Sequence, residues 1–174
     1  GANLVVFPEL ADTGYVKWPQ ERAELRYMEE FLNITNPIPG RSFQVLAEAA
    51  KRNNVYVISG LAERDSIVTG RMFNSSVLIS PEGKLIGTQR KITMTMTEPL
   101  FFTRGNKLEV FDTDFGKVGI NICYDNFTPE HARIMTLKGM TLLCSLWAAA
   151  HPNPPTITPN SNIPTGFTPN MIKC

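Results

Sequence analysis

Cys123 is the residue whose setting most invites chemistry. In VGINICYDNFTPEHAR an apolar run, Val118 to Ile122, stops at the cysteine, and polar residues with Pro129 and Glu130 then open a helix. A cysteine inside a strand is ordinarily a small, inert hydrophobe. At a strand-to-helix junction its side chain instead meets the sheet rim, near backbone N–H groups that favour a thiolate. A free thiol has a pKa of roughly 8.5, so a nucleophilic cysteine needs a base or a neighbouring cation. The usual partner is histidine, but the chain holds only His131, inside the following helix, and His151, at the start of a proline-rich tail. Carboxylates at strand ends are the other candidates, and Glu9 in VVFPEL is the best placed. Partial desolvation after an apolar run raises a carboxyl pKa and suits it to accept a thiol proton. The alternative is a solvated strand-end charge. Lys91, in QRKITMTMTE, could bring a fixed positive charge to a developing oxyanion. Read alone, it also fits a surface lysine.

These residues need a scaffold, and composition bounds it. The 174 residues are 43% hydrophobic and 19% charged, with a net charge of +1, which suits one globular domain with a single core. Charge this balanced, with no basic run or stripe, argues against a nucleic-acid partner. No apolar stretch approaches the ~20 residues of a membrane helix, and GANLVVFPEL is no signal peptide, so a cytoplasmic protein without membrane partners is expected. The three cysteines, Cys123, Cys144 and Cys174, fit neither a disulfide framework nor a zinc motif.

The pattern predicts alternating elements. NLVVF reads as a strand closed by Pro8, which leaves Glu9 on its C-terminal rim. QERAELRYMEEFL has helical spacing, and RSFQVLAEAAKRN places Phe43, Leu46, Ala47 and Ala50 on one helix face. VYVISG is a strand, RMFNSSVLIS and KLIGTQRK flank the turn PEG as a hairpin, and LEVFDTD with KVGINIC makes a second hairpin. PEHARIMTLKG reads as a helix with Pro129 in its first turn and Gly139 at its end, and MTLLCSLW as a strand. The expected class is α/β with mixed sheets over residues 1–150. Residues 151–174, rich in proline and without periodicity, are expected to be loop or disordered.

VVFPEL followed by TGY, then RK after a hairpin, then ICYDNFTPEHAR with LKG downstream, resembles the nitrilase superfamily of carbon-nitrogen hydrolases in three ordered blocks. The resemblance implies a Glu-Lys-Cys triad of Glu9, Lys91 and Cys123, with Glu98 of TEPLFFTRGN as the family's second glutamate. It implies the four-layer α-β-β-α sandwich, subunits pairing through outer helices into a homo-oligomer, and hydrolysis of an amide or nitrile through a cysteine thioester. The backbone N–H of Tyr124 would assist at the oxyanion. No metal or organic cofactor is implied. The same resemblance implies that the chain is a fragment, lacking the family's opening strand and helix and its later strands and long helix.

The block RIMTLKGMTLLCSLWAAAHPNPP is similar to the N-carbamoyl-D-amino acid amidohydrolase branch. That branch follows its cysteine with Asn-Asp-Arg-Arg, whose arginines bind a carboxylate, where this chain has Tyr124, Asp125, Asn126 and Phe127. Its histidine after the lysine is replaced by Thr93. A small neutral amide or nitrile is therefore the expected substrate, with Tyr124 and Asn126 at the binding site. A carbamoylase and an inactive fragment acting as a binding or assembly module are the alternatives.

Overall fold

Residues 1–14, 25–95 and 98–148 are described by the computed structural model. Among them are strands β1 (Leu4–Val6), β2 (Tyr56–Arg64), β3 (Met72–Ile79), β4 (Leu85–Arg90), β5 (Val110–Thr113), β6 (Gly116–Ile122) and β7 (Leu142–Leu146). The helices are α1 (Leu25–Ile34), α2 (Arg41–Asn53) and α3 (Pro129–Leu137), with short 3₁₀ turns at Glu98–Leu100 and Cys123–Phe127.

Two mixed sheets form, in strand order β1-β2-β3-β4 and β5-β6-β7. β1 runs parallel to β2, and β6 parallel to β7. The latter pair needs a crossover, supplied by α3. The hairpins expected at PEG and at Gly116 are both present and antiparallel. At the first, Ser80 and Lys84 pair across Gly83, whose φ of 77° suits glycine.

Period-two alternation sorts the strands' side chains into two layers. Val57, Leu61, Val77 and Ile79 pack with Phe43, Ala50, Leu46 and Ala47 of α2, the apolar face read from the sequence. The opposite faces, Ile58 and Leu78, pack against Phe111, Val118, Ile120, Ile122 and Leu146 of the second sheet. On the far side of that sheet, α3 brings Met135 onto Gly119, where an added Cβ would lie 2.8 Å from its sulfur. The order is therefore α2, sheet, sheet, α3, the expected α-β-β-α sandwich. Val118, Ile120 and Ile122 are fully buried, and each side chain so buried stabilises the fold by about 1.5–3 kcal/mol.

Differences from the predicted elements are local. β2 continues past Gly60 to Arg64 because β3 offers an unbroken ladder from Val57↔Ile79 to Arg64↔Met72. Tertiary pairing overrides the punctuation of one glycine. Of the helix expected at 20–32, residues 25–34 form α1, and the earlier ones lie outside the described residues. The tail at 151–174, with His151 and Cys174, also lies outside them.

Candidate active site

Glu9 is carried on the short segment that leaves β1. Pro8 ends the strand, and the chain then folds over Gly60 of β2: Gly60 N–H donates to the Pro8 carbonyl at 3.1 Å, and Ala11 N–H to the Gly60 carbonyl at 2.9 Å. A Cβ at position 60 would lie 2.6 Å from Glu9 Cα, so only glycine lets the glutamate backbone sit this close. Gly60, read from sequence as a strand end, is thus the seat of Glu9.

Lys91 follows β4 directly. Its N–H donates to the Asn74 carbonyl of β3 at 2.8 Å, which turns its side chain into the interior, where it is fully buried. Its ammonium donates to Glu9 Oε1 at 2.8 Å and to Glu98 Oε1 at 2.7 Å. Glu98 begins a 3₁₀ turn and is itself fixed by the N–H and hydroxyl of Thr95, at 2.7 and 3.0 Å on Oε2. Burial alone would lower the Lys91 pKa, but the charges of Glu9 and then Glu98 outweigh it and hold the ammonium above its usual range. Desolvation raises the Glu9 pKa, and Lys91 only partly offsets it. The surface-charge readings of Glu9 and Lys91 do not describe this arrangement.

Cys123 stands at the end of β6 with φ of 48°, a left-handed conformation uncommon for a residue with a Cβ. The strand turns there into the 3₁₀ turn Cys123–Phe127. Asp125 stabilises the turn by accepting the Ile122 N–H at 3.2 Å. The same carboxylate accepts the N–H groups of Ile92 and Thr93 at 3.1 and 2.7 Å. One buried side chain therefore ties the segment after Lys91 to the cysteine elbow, a role the sequence reading did not assign to it.

The Cys123 thiol lies within the fields of Glu9 and Lys91. The thiolate expected from the strand-helix junction is not the resting form. Burial first, and then the charge of Glu9, push the Cys123 thiol up to about 12 despite Lys91. Two carboxylates already share the one ammonium there, and a further anion in a desolvated site is costly. The arrangement suits proton transfer at the moment of attack rather than a standing thiolate.

The remaining sequence candidates fall as follows. Tyr124 follows Cys123 and is partly exposed; its ring meets Phe127 at 5.0 Å, and Phe127 meets Trp147 edge-on at 5.9 Å. Asn126 is occupied in holding the elbow, donating to the Cys123 carbonyl at 2.8 Å and accepting from Asn121 and Ser145. Its side chain is thus engaged with the protein itself. His131 is buried in α3 with Nδ1 3.6 Å from Asp125. Cys144 is buried in β7, where desolvation raises its thiol. Asn74, which sequence reading passed over as one residue of a strand, donates to Glu9 Oε1 at 2.7 Å and to Glu98 Oε1 at 3.3 Å. Its only signal was an amide in an otherwise apolar and hydroxylic strand.

Cavities of about 510 Å³ beside Arg90 and Glu63 and about 470 Å³ beside His131 are lined by neither Glu9, Lys91 nor Cys123. The buried charge cluster, not a cavity, marks this site. Among the described residues, no group of three or more His, Cys, Asp or Glu side chains could hold a metal ion. Among the same residues, no helix is long and apolar enough to cross a membrane.

A two-sheet sandwich flanked by helices, with a buried Glu-Lys-Glu cluster against a cysteine elbow, places the chain among α/β proteins of the nitrilase kind. The carbon-nitrogen hydrolase family model matches residues 1–164, and the chain belongs to that family. It is 40% identical over 154 residues to a nitrilase of Pyrococcus abyssi, covering 87% of this chain and 52% of the relative. With the human omega-amidase NIT2 it shares 31% identity over 153 residues, 82% of this chain and 50% of the relative. The chain thus spans about half the length of these relatives. Among solved structures, the carbon-nitrogen hydrolase of Helicobacter pylori G27 superposes with a TM-score of 0.62 at 30% identity, over 82% of this chain and 47% of that one. Saccharomyces cerevisiae Nit3 superposes at 0.69 and 26% identity, over 82% and 50%.

Proposed function

We propose that the protein carrying this chain hydrolyses a non-peptide carbon-nitrogen bond of an amide or nitrile through a thioester on Cys123. What carries this reading is the buried cluster in which Glu9 and Glu98 share the Lys91 ammonium, with the Cys123 thiol in the field of Glu9 and Lys91. Glu9 takes the thiol proton as sulfur bonds to the substrate carbon. The oxygen of an amide then becomes an oxyanion, held by the Lys91 ammonium and the Tyr124 backbone N–H. Two of the three ammonium protons are engaged by Glu9 and Glu98, which leaves one for the oxyanion. Collapse breaks the C–N bond, and Glu9 returns its proton to the departing amine. Water then attacks the thioester, giving a proton to Glu9, and the restored thiol leaves. A nitrile joins this path after its thioimidate takes up water and releases ammonia. Glu98 fixes the lysine throughout.

The proposed substrate is small and neutral. Phe127 stands where a carboxylate-binding branch keeps an arginine, Asn126 is committed to the elbow, and Tyr124, Phe127 and Trp147 form an apolar cluster beside the nucleophile. The names nitrilase and omega-amidase borne by the relatives above accord with this class. In the native form the protein is proposed to self-associate through its outer helices; α3 leaves Ile134 and Leu137 exposed.

Paired substrates that differ only in a carboxylate test this reading. The neutral amide should show a kcat/KM higher by on the order of tenfold to a hundredfold, the value of one missing charge-assisted hydrogen bond. The comparison is made at two salt concentrations, since long-range attraction is screened and a specific contact much less so. A clear preference for an N-carbamoyl amino acid would assign the anion to other cations, such as Arg104 or Arg133, and overturn the neutral-substrate reading.

A further inference from the structure

We infer that Asn74 is a positioning residue, whose amide bridges the two buried carboxylates and holds Glu9 in place between Lys91 and Cys123. This rests on the reading of Glu9 as proton carrier.

Asn74 lies on β3 with its side chain on the face that Met72, Ser76 and Leu78 share, the face toward the second sheet, and it is fully buried. Its Nδ2 protons go to Glu9 Oε1 at 2.7 Å and Glu98 Oε1 at 3.3 Å. The Lys91 ammonium binds the same two oxygens at 2.8 and 2.7 Å. Amide and ammonium thus close a ring with one oxygen from each carboxylate. The Asn74 main chain also anchors the ring, since its carbonyl accepts the Lys91 N–H.

Residue type matters here. A primary amide gives two protons from one atom and adds no charge. A second lysine would neutralise the base, and an aspartate would add a third anion. The amide's orientation is set, because only its nitrogen can face two carboxylates. This leaves Asn74 Oδ1 buried and without a hydrogen-bond partner among the described residues. An orphaned buried acceptor destabilises a fold, whereas an apolar side chain of the same shape would carry no such penalty. What the amide contributes in return is at the site. Its bond to Glu9 favours the ionised form and so opposes the effect of burial.

The test uses Asn74→Leu in the protein at its native length, with kcat/KM for a neutral amide followed across pH and the melting temperature alongside. Without the donor, Glu9 should protonate more readily. The acidic limb of the profile should move up by about one pH unit, the alkaline side should stay, and kcat/KM below the limb should fall about tenfold. Melting should change little, because the orphaned acceptor goes with the donor. An acidic limb at its wild-type position would overturn the inference, whatever the melting temperature does. If Asn74→Leu does not fold, Asn74→Ser carries the same test, since its shorter hydroxyl does not span both carboxylates. Glu9→Gln is assayed beside them. If it retains turnover, the reading of Glu9 itself fails. If it is inactive while Asn74→Leu keeps the wild-type profile, only the role of Asn74 falls.

Discussion

Glu9→Gln should abolish amide turnover while making Cys123 easier to alkylate. The two effects have one cause. Loss of general base and acid is expected to lower kcat by about 100-fold to 10,000-fold. The Glu9 charge is also, after burial, the chief influence that keeps the Cys123 thiol near 12. Glutamine removes that charge and leaves Lys91 in place, so the thiol pKa falls and the thiolate fraction at neutral pH rises. The fold should survive, because the change is nearly isosteric and Lys91 keeps Glu98 as partner. Hydrolysis assays, with iodoacetamide labelling mapped to the Cys123 peptide across pH, read both effects. Turnover near wild type would remove Glu9 from the chemistry. Lost turnover with an unchanged labelling profile would show that the glutamate does not act on the thiol.

Lys91→Met should damage both catalysis and stability. Removing one positioned oxyanion partner lowers kcat about 100-fold to 1,000-fold. The lysine is also fully buried between two carboxylates, and breaking such a pair destabilises a fold by about 3–5 kcal/mol. The pH dependence has a definite sign. Glu9 is already raised by burial, and without the ammonium it rises further. A carboxyl whose folded pKa exceeds its unfolded value supports the fold below the unfolded pKa and loses that support as pH rises through the folded one. The variant should therefore melt higher at about pH 5 than at about pH 8, with its deficit against wild type largest at neutral and alkaline pH. Equal melting of variant and wild type at both pH values would contradict the buried ion cluster.

Much of this was legible in the sequence, and the limits are physical. The helix RSFQVLAEAAKRN and both hairpins follow from patterns contained within one segment, and the structure has them where periodicity and turn residues put them. The proximity of Glu9, Lys91 and Cys123 is not local information. It came from the order of three blocks, and the fold supplies the Glu9–Lys91 contact. Asn74 was illegible because hydrogen bonds to residues 65 and 24 positions away leave no trace in a strand's alternation. Asp125 was quoted only as part of a motif, since its partners Ile92 and Thr93 reach it from another segment. The thiol's ionisation was misjudged for a related reason. A strand-helix junction suggests exposure and backbone donors, but the packed sheets and the Glu9 charge reverse the shift.

The central claim is that Cys123 carries the acyl group. Rapid quenching of the native-length protein during turnover of a neutral amide, followed by intact and peptide mass measurement, tests it directly. One added acyl mass should appear on the peptide bearing Cys123, and hydroxylamine should release it as a thioester. Turnover with no acyl mass on that peptide, or with the mass on Cys144 instead, would contradict the account.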